Sequence, residues 1–258
     1  MSTYAFSIQS SQTLVNEKAP PPSYEVAASQ DGSQDLKAFP QAPAQPTPFR
    51  FPQNFGFYHA SGSFSDLVIA SQKDDPNPLF YISTHGGFSS QPSVVLHSSR
   101  FSTSPPLATA DFHSFSSTID MSLYLPGSPN QISSMESSGA FTYTRRFSAR
   151  MPSGGKEAFE WKNSQGVEVQ SLHGRGHGKK CIRVATGEVV AAFTHPDMSR
   201  NKKGKMAFLG DRAGLGEGFE VLCVMAMLAI MEKERRAKRS RNGAVAGGAG
   251  ASAGGGGC

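Results

Sequence analysis

The sequence predicts a mainly β protein that closes on itself around one hydrophobic helix. Three features carry that prediction. Short apolar stretches of alternating polarity recur at about ten-residue spacing between Phe64 and Leu209, with turn residues between them. One run alone, Phe219 to Met231, reads clearly as a helix, and it is apolar almost all round. Both ends of the chain have compositions that do not build a core, which leaves residues 54–241 for the domain.

The strand candidates are Phe64–Ile69, Leu79–Ser83, Ser93–His97, Thr118–Tyr124, Ala140–Thr144, Ala158–Lys162, Cys181–Ala185, Glu188–Phe193 and Lys205–Leu209. Phe159 and Trp161 alternate with Glu160 and Lys162, giving one apolar and one wet face. Thr186-Gly187 joins two candidates as a tight hairpin. Nine or more such strands followed by one helix fit a closed antiparallel barrel, which hides its sheet edges and can hold a helix in its lumen.

The helical run has thirteen residues and contains Glu220. A bilayer core takes roughly 20 apolar residues, so the run predicts a buried core helix, with a C-terminal membrane anchor and an interfacial helix as the alternatives. Glu217 and Glu220 in its first turns and Lys/Arg at its end follow the order the helix dipole favours, and the central helix is expected over 217–239.

Residues 1–53 are rich in Ser, Gln, Ala and Pro and are expected to form a disordered arm; residues 242–258, mostly Gly, Ala and Ser, read as a flexible tail. Within the arm, Pro21-Pro22-Ser23-Tyr24 matches a PPxY ligand of WW domains. Pro21 and Pro22 preset an extended helix for an aromatic groove and Tyr24 supplies the anchor, so a WW-containing ubiquitin ligase is the implied partner; compositional accident in a Pro-rich stretch is the competing reading.

The net charge of +5 is unevenly placed. Residues 1–150 hold 8 Lys/Arg against 10 Asp/Glu, and residues 151–258 hold 17 against 10. The basic half points to an anionic partner. Two clusters stand out: Arg175, Lys179 and Lys180 in a glycine-rich stretch whose backbone N–H groups could face an anion, and Arg200, Lys202, Lys203 and Lys205. The run from Lys233 to Arg241 is a third, readable as a solvated helix end, a membrane-surface patch or a nuclear and nucleic-acid patch.

Other chemistry is weaker. His173 to Lys180 lacks the first glycine and the final Ser/Thr of a phosphate loop, and His173 and His177 have no third metal ligand spaced to help. Gly214-Leu215-Gly216-Glu217-Gly218 has no following β-strand to complete a dinucleotide site. No nucleophile–base pair or carboxylate pair stands out, so no enzyme, cofactor or metal is expected. Cys181, Cys223 and Cys258 show no disulfide or metal spacing, and no secretory leader is read at the N-terminus; a cytoplasmic location, peripheral to membrane, is expected, with the nucleus as alternative.

Phe159-Glu160-Trp161-Lys162, the hairpin Cys181–Phe193, the Lys205–Leu209 strand and the helix ending Glu232-Lys233-Glu234-Arg235-Arg236 together resemble the tubby C-terminal-like superfamily, which includes tubby, LURP-one-related and scramblase proteins. Small fungal members are the most similar. The resemblance implies a twelve-stranded antiparallel barrel around a hydrophobic C-terminal helix, and it supplies no catalytic residues. It implies an anionic phospholipid ligand, for which Arg175, Lys179, Lys180, Lys202 and Lys203 are the candidates from this chain's own clusters. The expected function is therefore a non-enzymatic binding protein, with a scramblase-like insertion of 219–231 as the alternative reading.

Overall fold

Each strand of the chain hydrogen-bonds to its sequence neighbours, and the first closes on the last. The computed structural model describes residues 50–248, apart from residues 88, 114–115, 139–142, 198 and 200. Its strands are β1 (Asn54–His59), β2 (Leu67–Ala70), β3 (Phe80–Thr84), β4 (Val94–His97), β5 (Pro106–Phe112) and β6 (Ile119–Leu123). They continue as β7 (Gln131–Ser137), β8 (Arg145–Arg150), β9 (Lys156–Ser164), β10 (Gly178–Arg183), β11 (Val189–Thr194) and β12 (Lys202–Phe208). A short helix α1 (Val167–Gln170) lies between β9 and β10, and α2 (Gly216–Gly248) ends the described chain. All neighbours are antiparallel, and β1 pairs with both β2 and β12, so the twelve strands form a closed barrel with no free edge.

The inward side of the wall is apolar because every second residue faces the lumen. Phe55, Phe57, Phe193 and Phe208 fill one side of it, while β5 presents Ala108 and Ala110. Those two small side chains let α2 approach β4, β5, β6 and β8. At Gly204 the wall has no room for a side chain, since a Cβ there would stand 2.2 Å from the Phe193 ring. From Val221 to Ala229 no residue of α2 exceeds 2 % exposure, so the segment considered for membrane insertion is enclosed by the barrel. Among the described residues no helix is long and apolar enough to cross a membrane. Cys181 on β10 and Cys223 on α2 are buried free thiols, and burial, then its neighbour Cys181, pushes the Cys223 thiol well up.

Two boundaries differ from those read in the sequence. Phe51, assigned by composition to the arm, is buried against Phe55, Phe80 and Phe208. The helix continues past 239 to Gly248, because each added residue extends a nucleated helix by one backbone hydrogen bond. Eight of the strand candidates overlap observed strands. The candidate Ala140–Thr144 falls partly outside the described residues, and Tyr143 and Thr144 lie in the loop before β8. β1, β5, β7 and β8 carried no candidate.

The lower end of α2 is fixed by charge. Glu220, 1 % exposed, accepts from Arg212 Nε at 2.9 Å and also pairs with Arg212 Nη2, while Arg212 Nη2 donates to Phe51 O at 2.7 Å. Arg50 N–H donates to Glu220 Oε2 at 3.2 Å. The strap of residues 50–53 before β1, the β12–α2 loop and the helix are thereby tied at one point.

Candidate functional site

The helix leaves the barrel at the end where the loops β1–β2, β3–β4, β5–β6, β7–β8, β9–β10 and β11–β12 gather. There the basic run divides into two parts with different tasks. Glu232, 4 % exposed, accepts from Arg235 Nε (2.5 Å) and Nη2 (2.7 Å) and from Arg236 Nε (2.7 Å). Arg236 also donates to His85 O at 2.5 Å and covers the Phe112 ring at 4.7 Å, and Lys233 Nζ donates to Ser117 O at 3.1 Å. These three cations seal the barrel mouth. Lys238, Arg239 and Arg241 remain exposed beyond it.

Beside the mouth lies an open groove of about 1200 Å³. Arg175 and Lys179 enter it from β10 and the loop before it, Lys202 and Lys203 from β12, and Lys238 from α2. Four of the five residues nominated for an anion are thus brought together, and the helix adds Lys238 from the third basic cluster. Lys180 is not among them. Strand alternation turns it to the outer face, where its Nζ stands 3.3 Å from Glu168 Oε1 of α1. Lys179 is the buried floor of the groove, bonded to Asn163 Oδ1 at 2.9 Å and paired with Glu234 at 3.0 Å.

The rim cations are different. No ion pair to Arg175, Lys202, Lys203 or Lys238 occurs among the described residues at 4.0 Å or less. Burial, then Lys205, holds the Lys202 ammonium below the usual lysine range; burial, then Arg235 and Lys238, does the same to Lys203. The groove also holds the carboxylates of Asp197 and Glu234, the latter paired with Lys179, so its rim has an excess of cations without direct ion pairs, as an anion site needs.

The glycine-rich loop behaves otherwise than its composition implied. Arg175 N–H donates to His195 O at 3.0 Å, Thr194 Oγ1 donates to Arg175 O at 3.0 Å, and a Cβ on Gly174 would stand 2.5 Å from Thr194. The loop is laced to β11, so its side chains rather than a row of open backbone N–H groups face the groove. His173 and His177 are not joined by further ligands: among the described residues no group of three or more His, Cys, Asp or Glu is placed to hold a metal ion. A Ser83–His97 hydrogen bond of 2.8 Å, with His97 Nδ1 on Ser104 O at 2.8 Å, is invisible in sequence because the partners come from different strands. Neither residue lines the groove. Pro21, Pro22 and Tyr24 lie outside the described residues.

Two histidines at this end are held below the ordinary histidine range. For His195 the main cause is burial, opposed by Glu234 at 3.9 Å; for His59 it is burial and then Lys203. Because both folded values lie below the unfolded one, about 6.5, the unfolded chain takes up these protons first. Stability is therefore expected to fall as pH drops below about 6.5. Unfolding free energy followed from pH 7.5 to 5.5 checks this, and His195→Asn flattens the slope; a flat profile for the native chain contradicts it.

Comparison with protein-family models, curated proteins and solved structures returns no match for this chain.

Proposed function

We propose that this chain is a tubby-like barrel that binds the headgroups of anionic phospholipids in the groove beside the helix exit, without catalysis. The observation that carries this reading is the convergence of Arg175, Lys202, Lys203 and Lys238, from three separate elements, on one open groove without an ion-pair partner among the described residues. The floor pair Lys179–Glu234 positions the rim and contributes little net charge. The barrel's twelve strands and enclosed helix agree with the architecture that the tubby resemblance implies.

Each cation close to an anionic surface contributes about 1 kcal/mol, so Lys202→Ala with Lys203→Ala is expected to weaken vesicle binding about thirtyfold. Lys180→Ala, whose side chain faces Glu168 instead, leaves it unchanged. Co-sedimentation with phosphatidylcholine vesicles, with and without phosphatidylinositol 4,5-bisphosphate, measures both. Equal binding to neutral vesicles, no binding, or an unaffected double variant sinks the reading. The arm adds a second attachment: Pro21-Pro22-Ser23-Tyr24 recruits a WW domain. Capture of the full chain by an isolated WW domain is expected to be lost on Tyr24→Ala, and retention of capture refutes the motif.

A further inference from the structure

Phe64 is 94 % exposed, yet the loop that carries it is tightly bonded. Ser63 Oγ accepts from Asp66 N–H at 2.9 Å and from Ser65 N–H at 3.3 Å, and Ala60 N–H donates to Asp66 O at 3.0 Å. The Asp66 carboxylate accepts from Thr84 N–H and from the Tyr81 hydroxyl, each at 3.0 Å. Gly62, at φ 75°, makes the turn. The loop therefore presents its phenylalanine to water in a fixed position.

A single exposed apolar residue needs no explanation by itself. The position of this one does. His59 N–H donates to Asn201 O at 2.9 Å, joining the Phe64 loop to the β11–β12 loop that leads directly into Lys202 and Lys203. Tyr143, 74 % exposed, lines the groove itself. At the opposite end of the barrel Phe101 is also exposed, with Arg100 over its ring at 4.9 Å, and the loops there mix Lys73 and Arg100 with Asp74, Asp75, Glu188 and Asp211. Among the described residues, the cluster of Arg175, Lys202, Lys203 and Lys238, none of them in an ion pair, lies at the helix-exit end with Tyr143 in the same groove and Phe64 on the neighbouring loop.

We infer that Phe64 and Tyr143 enter the interfacial layer of an anionic bilayer while the groove holds a headgroup, so that the helix-exit end of the barrel faces the membrane. This rests on the lipid reading above and adds an orientation and a second, apolar contact to it. Tyrosine suits the headgroup level, with its ring in the apolar boundary and its hydroxyl in water, and phenylalanine reaches past it. Two weak signals acting together, charge and apolar insertion, give the stable attachment that either alone lacks.

The test uses the full chain and vesicles of phosphatidylcholine with phosphatidylinositol 4,5-bisphosphate, part of the lipid carrying brominated acyl chains. Trp161 is the sole native tryptophan, fully buried and common to every variant. Phe64→Trp is expected to be quenched by the bromolipid and Phe101→Trp is not. Phe64→Ser is expected to lower vesicle affinity about tenfold, from loss of a partly buried aromatic side chain, while binding of soluble inositol 1,4,5-trisphosphate stays as in the native chain. If the native chain binds vesicles but Phe64→Trp is quenched no more than Phe101→Trp, or Phe64→Ser binds as the native chain does, the insertion is wrong and the groove reading stands. If the native chain binds neither vesicles nor inositol phosphate, both fail together.

Discussion

Arg212→Ala is expected to destabilise the barrel by about 3–5 kcal/mol, because it leaves the Glu220 carboxylate buried without its cation. Glu220 is 1 % exposed and Arg212 is 8 % exposed, so water cannot replace the lost partner. The substitution also removes the donor to Phe51 O, which ties the strap before β1 to the helix start. Burial already holds the Glu220 carboxyl above its ordinary range, with Arg212 pulling against it. Without Arg212 the folded-state value rises further above the unfolded one. The deficit is then largest at neutral pH and shrinks as pH falls through that raised value, since the protonated acid carries no buried charge. Urea unfolding at pH 7 and pH 5 measures this. Arg212→Met combined with Glu220→Leu should recover most of the loss, as apolar replacement of a buried pair commonly does. A loss near zero for Arg212→Ala contradicts the tether.

Phe219→Ala is expected to cost a similar amount, about 3–5 kcal/mol, for a different reason. The Phe219 ring is 1 % exposed, 4.4 Å from the Phe159 ring and 6.5 Å from that of Phe208, so it joins the helix to two strands of the wall. Removing it opens a cavity that neither the closed barrel nor the enclosed helix can collapse to fill. The urea midpoint falls at unchanged denaturant dependence. Phe159→Ala added to it costs less than the sum of the two, because the rings share one contact. If the helix instead lay in lipid, Phe219→Ala would leave the barrel's stability in water untouched; a loss below about 1 kcal/mol therefore argues against its place in the core.

The barrel was legible where its strands face the lumen with large apolar residues. Trp161 and Phe159 on β9, Phe193 on β11 and Met206 and Phe208 on β12 mark their strands by alternation alone. β7, Gln131–Ser137, buries only Ser133 and Met135, and β8, Arg145–Arg150, only Phe147 and Ala149. Two inward residues among polar and charged ones leave almost no period-two signal. β5 begins at Pro106 and turns Ala108 and Ala110 inward, small residues chosen by the nearness of α2 rather than by strand propensity, and Gly56 interrupts β1. The helix was legible because nothing else could bury it.

The site was legible in part. Clusters of lysine and arginine reveal charge but not facing, and the strand alternation that puts Lys179 in the groove turns Lys180 away from it. Lys238 could be placed only once the helix was known to pass the groove on leaving the barrel. The same holds for Lys233, Arg235 and Arg236, which the sequence groups with Lys238 and Arg239 as one basic run. Glu232 and the rim carbonyls of Ser117 and His85 claim those three, so less of the run faces outward than its sequence suggests.

Binding of an anionic headgroup in the groove beside the helix exit can be read residue by residue. Backbone amide shifts followed during titration with inositol 1,4,5-trisphosphate test it most directly. Saturable shifts centred on Arg175, Lys202, Lys203 and Lys238 are expected, with the loops carrying Asp74, Asp75 and Glu188 unmoved. Shifts centred on another face of the barrel, or none at ligand concentrations well above the protein's, would contradict it.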